Sequence, residues 1–456
     1  MKQFYFENKL NQKIIDCLGS AKRFIKIAVF QIHSEKVFQL LIQKAKSGVE
    51  VEIITLPVDS VDENEREMVR QYFGALEKAG AIVSFCKWNI GDPERTTTAV
   101  GRWYSFHGKF IVTDELAIGL SANLMNGEEY DTMIVYKNEK EMISLFKSKF
   151  EFLRNKFVVK NGNTEGTIKL EILSFKSTDP AVSDVFVAPR TITDTEIKNF
   201  WIKEYPPTLC PEEVDIKDGL YILPFDCRPR DFLSKIILDA KKFVYLSTES
   251  FTDPSFPYLL EKARLSGKEL KILTGAQSMD YTDRLKLMIK ELIATDIQMR
   301  TTTESIHAKL IITDKLVGVC SINLNRINLG FKVGKYWRSN TETISICTDP
   351  AVIMDAKKIF DKMFGDDTKT KSLLSNLSEK SCGDLGQLIT KTFNFRSSGT
   401  AKELLAKIQI EGEIGNVSGV YNLIKLAIKN AQERGKNKID KEDVEQALRI
   451  ISQKHK

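Results

Sequence analysis

His107-Gly-Lys-Phe-Ile-Val-Thr-Asp114 and His307-Ala-Lys-Leu-Ile-Ile-Thr-Asp314 carry one pattern, His-x-Lys-x4-Asp, written twice in the chain. Each runs through apolar and β-branched residues, the composition of a strand. Side chains at i and i+2 of a strand face the same way, so His107 shares a face with Lys109, and His307 with Lys309. Each motif leads into a second apolar stretch, Ile118-Gly-Leu-Ser-Ala-Asn-Leu124 and Val317-Gly-Val-Cys-Ser-Ile-Asn-Leu324. The same alternation there puts Ser121 beside Asn123 and Ser321 beside Asn323. Only four histidines occur in the chain, and two of them head these motifs. The other two, His33 and His455, read as ordinary loop and tail residues.

Outward from the motifs the repetition continues. Ala21-Lys-Arg-Phe-Ile-Lys-Ile-Ala-Val-Phe30 has its counterpart in Ala240-Lys-Lys-Phe-Val-Tyr-Leu-Ser-Thr-Glu249. Val37 to Gly48 and Tyr258 to Gly267 follow as amphipathic helices, each stopped by a glycine at C′, and Val49 to Thr55 and Lys268 to Thr274 as strands. A second helix is predicted in each copy, over Glu63 to Ala79 and Asp283 to Ala294. Strands alternating with helices imply βαβ units on mostly parallel sheets. The predicted fold class is therefore α/β, a duplicated βαβ sandwich with a small C-terminal all-α module. The divisions are 1–157 (first repeat), 158–218 (connecting segment), 219–365 (second repeat), 366–399 (linker) and 400–456 (helical module).

Composition narrows the class. With 67 basic and 61 acidic residues, the chain has a net charge of +6, a mild lean that suits a phosphate-bearing partner. The charge-broken N-terminus does not read as a secretory signal, and no apolar run reaches the length of a bilayer span, so a cytoplasmic protein without integral membrane association is expected. Seven scattered cysteines with no C-x-x-C pair predict neither a disulfide framework nor a thiolate zinc site. No H-E-x-x-H or clustered carboxylate pattern is present, so no metal and no cofactor are expected.

At its two motifs the chain resembles the phospholipase D superfamily, whose signature is H-x-K-x4-D followed by G-S-x-N. The resemblance covers about residues 1–365. It departs at the glycine before serine, which is Leu120 in one copy and Cys320 in the other, and the Asp-to-Ser spacing is one residue short in both. The resemblance implies two halves packed about a pseudo-twofold axis, with both motifs in one pocket. It further implies that one histidine attacks phosphorus while the other protonates the leaving oxygen and then activates water or an alcohol. On that basis His107 is assigned as nucleophile and His307 as acid, with Lys109, Lys309, Asn123 and Asn323 holding the non-bridging oxygens. The motif aspartates, Asp114 and Asp314, form a second tier that mainly supports local structure. Ser121 and Ser321 are supporting residues. An acidic residue on the next strand holds the motif histidine in this family, and Asp131 and Glu342 match best, with Glu128 and Glu129 as rivals for the first.

Aromatic residues flank both motifs: Trp103, Tyr104 and Phe106 with Arg102 at the first, Tyr336 and Trp337 with Lys335 and Arg338 at the second. They fit base stacking beside phosphate contacts, and they fit core packing equally. Near the C-terminus helices are predicted over Lys402 to Ile408, from Gly419 to Glu433, and after an Asp440 cap with Asp443 at N3. This part loosely resembles the helical lid of AAA+ ATPases. No G-x-x-x-x-G-K-[ST] accompanies it, which suggests docking to a protein partner, or a cap on the core. The expected function is a metal-independent nuclease acting on DNA or RNA, in a defence or repair setting. The alternatives are a phospholipase D or phosphatidyltransferase, and a catalytically idle nucleic-acid-binding scaffold.

Overall fold

The computed structural model describes residues 1–85, 106–157, 215–275, 297–372, 396–397 and 417–454, apart from scattered positions within those ranges. The first half comprises β1 (Lys2–Glu7), α1 (Leu10–Gly19), β2 (Phe24–Val29), α2 (Glu35–Lys46), β3 (Glu50–Thr55), α3 (Glu63–Lys78), β4 (Ile82–Phe85), β5 (Lys109–Thr113), β6 (Leu116–Leu120), β7 (Asp131–Lys137) and α4 (Lys140–Phe157). The second comprises β8 (Gly219–Leu223), α5 (Pro229–Asp239), β9 (Phe243–Thr248), α6 (Phe256–Leu265), β10 (Glu269–Gly275), β11 (Gln298–Thr302), β12 (Leu310–Thr313), β13 (Val317–Cys320), α7 (Arg326–Leu329), β14 (Phe331–Val333), β15 (Tyr336–Arg338), β16 (Glu342–Cys347) and α8 (Pro350–Phe364). A final strand, β17 (Thr370–Ser372), closes the second sheet.

The two sheets share one strand order. It is β1-β7-β6-β5-β2-β3-β4 in the first half and β8-β16-β13-β12-β9-β10-β11 in the second, where β17 is added beyond β11. Both sheets are mixed, which corrects the expectation of mostly parallel ones. Only β2–β3–β4 and β9–β10–β11 run parallel. The motif strands β5 and β12 pair antiparallel on both sides. The reason lies in the motif's own turn. Only Asp114 and Glu115 separate β5 from β6, and Asp314 to Leu316 separate β12 from β13, too few residues for a parallel crossover.

The predicted helix stops are present. Gly48 and Gly267 follow α2 and α6 with φ of 86° and 85°, the left-handed conformation that glycine adopts without a Cβ penalty. Each sheet packs helices on its outer face. In the first half Ile14 and Leu18 of α1, Phe38 and Leu41 of α2 and Phe73 of α3 cover Ile25, Ile27 and Ile53. The inner faces of the two sheets share a single core. Phe110, Val112 and Ala117 from the first half cluster with Leu310, Ile312 and Val317 from the second, with Phe146 of α4 and Phe360 of α8. Contact between the sheets is close enough to require glycine at position 119, where a Cβ would stand 2.2 Å from Ser345 Cβ.

At the C-terminus, α9 (Val417–Glu433) packs on α10 (Lys441–Lys454). Asp440 caps α10 as expected: Asp443 N–H donates to Asp440 Oδ1 at 3.2 Å, and Asp440 N–H donates back to Asp443 Oδ2 at 2.9 Å. Leu423, Ala427, Ile439 and Val444 belong to the same apolar cluster as the outer face of the second half. Cys17, Cys320 and Cys347 are free thiols, whereas Cys227 is disulfide-bonded, a departure from the expected reduced set. The predicted helices over Asp283 to Ala294 and Lys402 to Ile408 lie outside the described residues. So do Arg102, Trp103 and Tyr104, His455, the side chains of Tyr336 and Trp337, and most of 158–218 and 366–399.

Candidate active site

The halves meet edge to edge at the motifs. Backbone bridges join Phe106 to Thr341 and Tyr130 to Ile306. His107 N–H donates to Thr341 O at 2.9 Å, and His307 N–H to Tyr130 O at 2.9 Å. Each motif therefore enters the interface beside the strand that carries the other half's acidic residue. The carboxylates are exchanged as a result. His107 Nδ1 lies 2.9 Å from Glu342 Oε2, and His307 Nδ1 lies 3.0 Å from Asp131 Oδ1. Asp131 and Glu342 thus serve the histidine of the opposite half. Glu129 instead accepts a hydrogen bond from Ser305 Oγ at 2.8 Å.

A carboxylate on Nδ1 fixes the neutral tautomer with its proton there and leaves the Nε2 lone pair free. The serines hold those carboxylates. Ser121 Oγ donates to Asp131 Oδ1 at 2.8 Å, and Ser321 Oγ donates to Glu342 Oε2. Side chains in place of the usual glycine before each serine cost nothing in backbone conformation, since neither Leu120 nor Cys320 has positive φ. Both are buried at the ends of their strands, where burial pushes the Cys320 thiol up to about 12.

Lys109 and Lys309 are buried, and each donates to the carbonyl of its own motif histidine, at 3.2 and 2.7 Å. Asn123 Oδ1 and Asn323 Oδ1 are buried acceptors with no hydrogen-bond partner. Histidines, lysines, serines and the two carboxylates thus come together at the interface. The motif aspartates do not. Asp114 Oδ1 accepts backbone N–H from Lys22 and Arg23 at 3.0 and 3.1 Å, and Asp314 Oδ1 from Lys241 and Lys242 at 2.8 and 3.0 Å. Each sits at the far end of its motif strand and ties the start of the neighbouring strand, β2 or β9. Burial works against both, but the backbone N–H groups hold these carboxyls below their usual range.

The surroundings of the two histidines differ. Phe30 meets His107 edge to face at 4.8 Å between ring centres, and Lys109 Nζ stands 5.3 Å from the same ring. At the matching position of the second copy stands Glu249. Its Oε2 lies 3.1 Å from Lys309 Nζ, 3.3 Å from Asn323 Nδ2 and 3.8 Å from His307 Nε2. Burial, aided by Lys109 and Lys309, pushes His107 down to about 4 although Glu342 works against it. Burial and Lys309 together push Lys109 down to about 7. Burial opposes ionisation of Glu249, yet Lys309 and His307 hold its carboxyl well below the usual range.

Sequence reasoning missed Glu249, Phe30 and Asn328. The first two were in view, since aligning the copies puts Phe30 opposite Glu249 at the ends of β2 and β9. Asn328, on α7, donates to Glu342 Oε1 and lies 3.4 Å from His107 Nδ1. It had no signal, because it stands outside both motifs. Glu129, Asp131 and His307 bring possible ligand atoms within 4.8 Å of one another. The hydrogen bonds given above already engage all three.

Two carboxylate-held imidazoles and two buried lysines, brought together by a duplicated α/β fold, define a phosphodiester-handling class of site. A family described as "Cardiolipin synthase, PLD-like domain" matches residues 14–154 and 233–364, more than half of the chain. The chain belongs to this PLD-like family, and its chemistry is of the phosphodiesterase type. No curated protein matches it. Among solved structures, phosphatidylserine synthase from Haemophilus influenzae Rd KW20 is similar at 12% identity over 90% of this chain and 95% of its own, with a TM-score of 0.49. Polyphosphate kinase from Porphyromonas gingivalis is similar at 10% identity over 80% of this chain, which spans 51% of the kinase, with a TM-score of 0.47. Nuc from Salmonella typhimurium, a phospholipase D family member, matches 32% of this chain and 91% of its own at 19% identity, with a TM-score of 0.27. Among the described residues no helix is long and apolar enough to cross a membrane.

Proposed function

We propose that this chain is a metal-independent phosphodiesterase that cleaves nucleic acid through a phosphohistidine on His107. The observation that carries the reading is the pair of exchanged imidazole–carboxylate contacts in unlike surroundings. His107, pushed down to about 4, is neutral at physiological pH, so Nε2 has a lone pair for attack on phosphorus. His307 lies between Asp131 and Glu249, the setting an imidazolium needs if it is to serve as an acid. In the first step a bond forms between His107 Nε2 and phosphorus. The phosphorus–oxygen bond to the leaving group breaks, and that oxygen takes the His307 proton. In the second step His307 takes a proton from water, the oxygen of that water attacks phosphorus, and His107 is released. The lysines and asparagines bind the non-bridging oxygens as charge builds on them.

A net charge of +6 supports a polyanionic substrate. A second reading is supported by the description of the matching family: the same intermediate would be opened by a lipid alcohol in place of water, making the enzyme a phosphatidyltransferase. One experiment separates them. Purified protein is incubated in excess EDTA with labelled single- and double-stranded DNA, RNA and phosphatidyl lipids. Nucleic-acid cleavage in EDTA is expected, with an acid-quenched phosphoryl adduct that persists in His307→Asn and is missing from His107→Asn. Loss of turnover in EDTA sinks the metal-free mechanism. Lipid turnover with intact nucleic acids selects the transferase, and an adduct on His307 reverses the two roles.

A further inference from the structure

Glu249 has no counterpart in the first half, and its position is chemically specific. One oxygen, Oε2, reaches the ammonium of Lys309, the amide of Asn323 and the Nε2 edge of His307. Those three groups are the ones that, on the phosphodiesterase reading, would meet a phosphoryl oxygen. We propose that Glu249 occupies the phosphoryl-oxygen position of the second half-site, as a built-in anion that a substrate phosphate must displace.

Two features of the structure support displacement over a fixed structural role. The Glu249 side chain is 36% exposed, whereas those of Asp131 and Glu342 are 10% and 0% exposed. The two carboxylates that orient histidines are locked in, while Glu249 has a way out. Lys309 is fully buried, and a buried ammonium is costly without an anion beside it. Exchange of the carboxylate for a phosphate leaves the lysine paired throughout, so the cost of displacement is the difference between two ion pairs. The carboxyl group is also held in its charged form, so it leaves as an anion replaced by another anion. A free phosphate brings little besides its charge to this exchange. A phosphodiester held along its flanking groups has further binding energy with which to drive it, so the device favours extended substrates over small anions.

The proposal rests on the phosphodiesterase reading, and its test uses the full-length protein with Glu249→Gln and Glu249→Asp. Inorganic phosphate binding is measured by calorimetry, and kcat and KM with bis(p-nitrophenyl) phosphate. The Gln variant removes the charge. The Asp variant keeps it but, one methylene shorter, withdraws it from Lys309. Both are expected to bind inorganic phosphate at least tenfold more tightly than wild type and to lower KM with kcat held within a few-fold. Phosphate affinity unchanged or weakened in both overturns the proposal, as does an Asp variant indistinguishable from wild type, which would make the effect one of charge alone. A fall in kcat at unchanged KM, with a shifted pH profile, would make Glu249 a positioning residue for His307 and overturns it too. If wild type, variants and His107→Asn alike neither bind phosphate nor cleave the diester, the phosphodiesterase reading itself fails, and this proposal with it.

Discussion

The two half-sites have the same strands in the same order and the same His, Lys, Ser and Asn, yet their basic residues sit in opposite company. His107 and Lys109 lie against the Phe30 ring; His307 and Lys309 lie against the Glu249 carboxylate. Duplication supplies the geometry, placing two equivalent imidazoles across one interface. A single divergent position at the end of β2 and β9 makes the two imidazoles electrostatically unequal. A displacement reaction needs one histidine without a proton and one with it, and a strictly symmetric site would supply neither in excess.

The exchange of carboxylates gives the sharpest way to break this comparison. Glu342→Gln and Asp131→Asn should each lower kcat roughly 10²- to 10⁴-fold, the range seen when the carboxylate behind a catalytic imidazole is neutralised. Their signatures should differ. Glu342 lies behind the nucleophile, so its loss should slow adduct formation equally for good and poor leaving groups. Asp131 lies behind the acid, so its loss should be severe for a poor leaving alkoxide and mild for p-nitrophenolate. Single-turnover rates with two such diesters check this. If Asp131→Asn, a first-half substitution, instead impairs the His107 step, the exchanged contacts do not govern the chemistry.

Much of this was legible from the residues alone, for a physical reason. Period-two alternation, a glycine stop and a motif repeated in register are local signals, and they located both halves, the four basic residues and the Asp440 cap. The strand directions were not local. The mixed sheets follow from the short turns after Asp114 and Asp314, whose consequence was hidden by the stronger βαβ signal upstream. Which histidine each carboxylate serves was also out of reach, because it depends on how β7 and β16 cross between the halves. Asn328 contributes only through tertiary placement, on a single helical turn.

A gentler test makes the halves alike. Phe30→Glu copies the second half into the first and puts a carboxylate beside His107 and Lys109. Both should hold their protons more tightly, His107 rising from about 4 and Lys109 from about 7. The acidic limb of the pH–rate profile should move to higher pH, with activity at pH 6 falling about tenfold per unit of His107 shift. The matching change, Glu249→Phe, should leave that limb in place. An unmoved limb in Phe30→Glu would mean that burial, not the missing carboxylate, sets the His107 proton affinity.

The smallest effect expected is on stability, and its sign follows from the direction of the His107 shift. In the unfolded chain this imidazole takes up its proton near pH 6.5, whereas in the fold it does so only near 4. Between those values the unfolded state binds the extra proton, so stability falls as pH is lowered from 6.5 toward 4 and changes no further below that. The whole window is worth at most about 3 kcal/mol. Other groups titrate there, among them His33, whose shift is also downward because burial outweighs the nearby Glu65 carboxylate. The informative quantity is therefore a difference: urea unfolding of wild type and His107→Gln at pH 7 and pH 4.5. Wild type should lose up to about 3 kcal/mol more than the variant over that interval. The matched pair, wild type against His307→Gln, should show a smaller difference, since Asp131 and Glu249 both face that ring. Equal differences for the two histidines would mean that Phe30 and Glu249 leave the halves electrostatically alike, and the division of labour between them would need another cause.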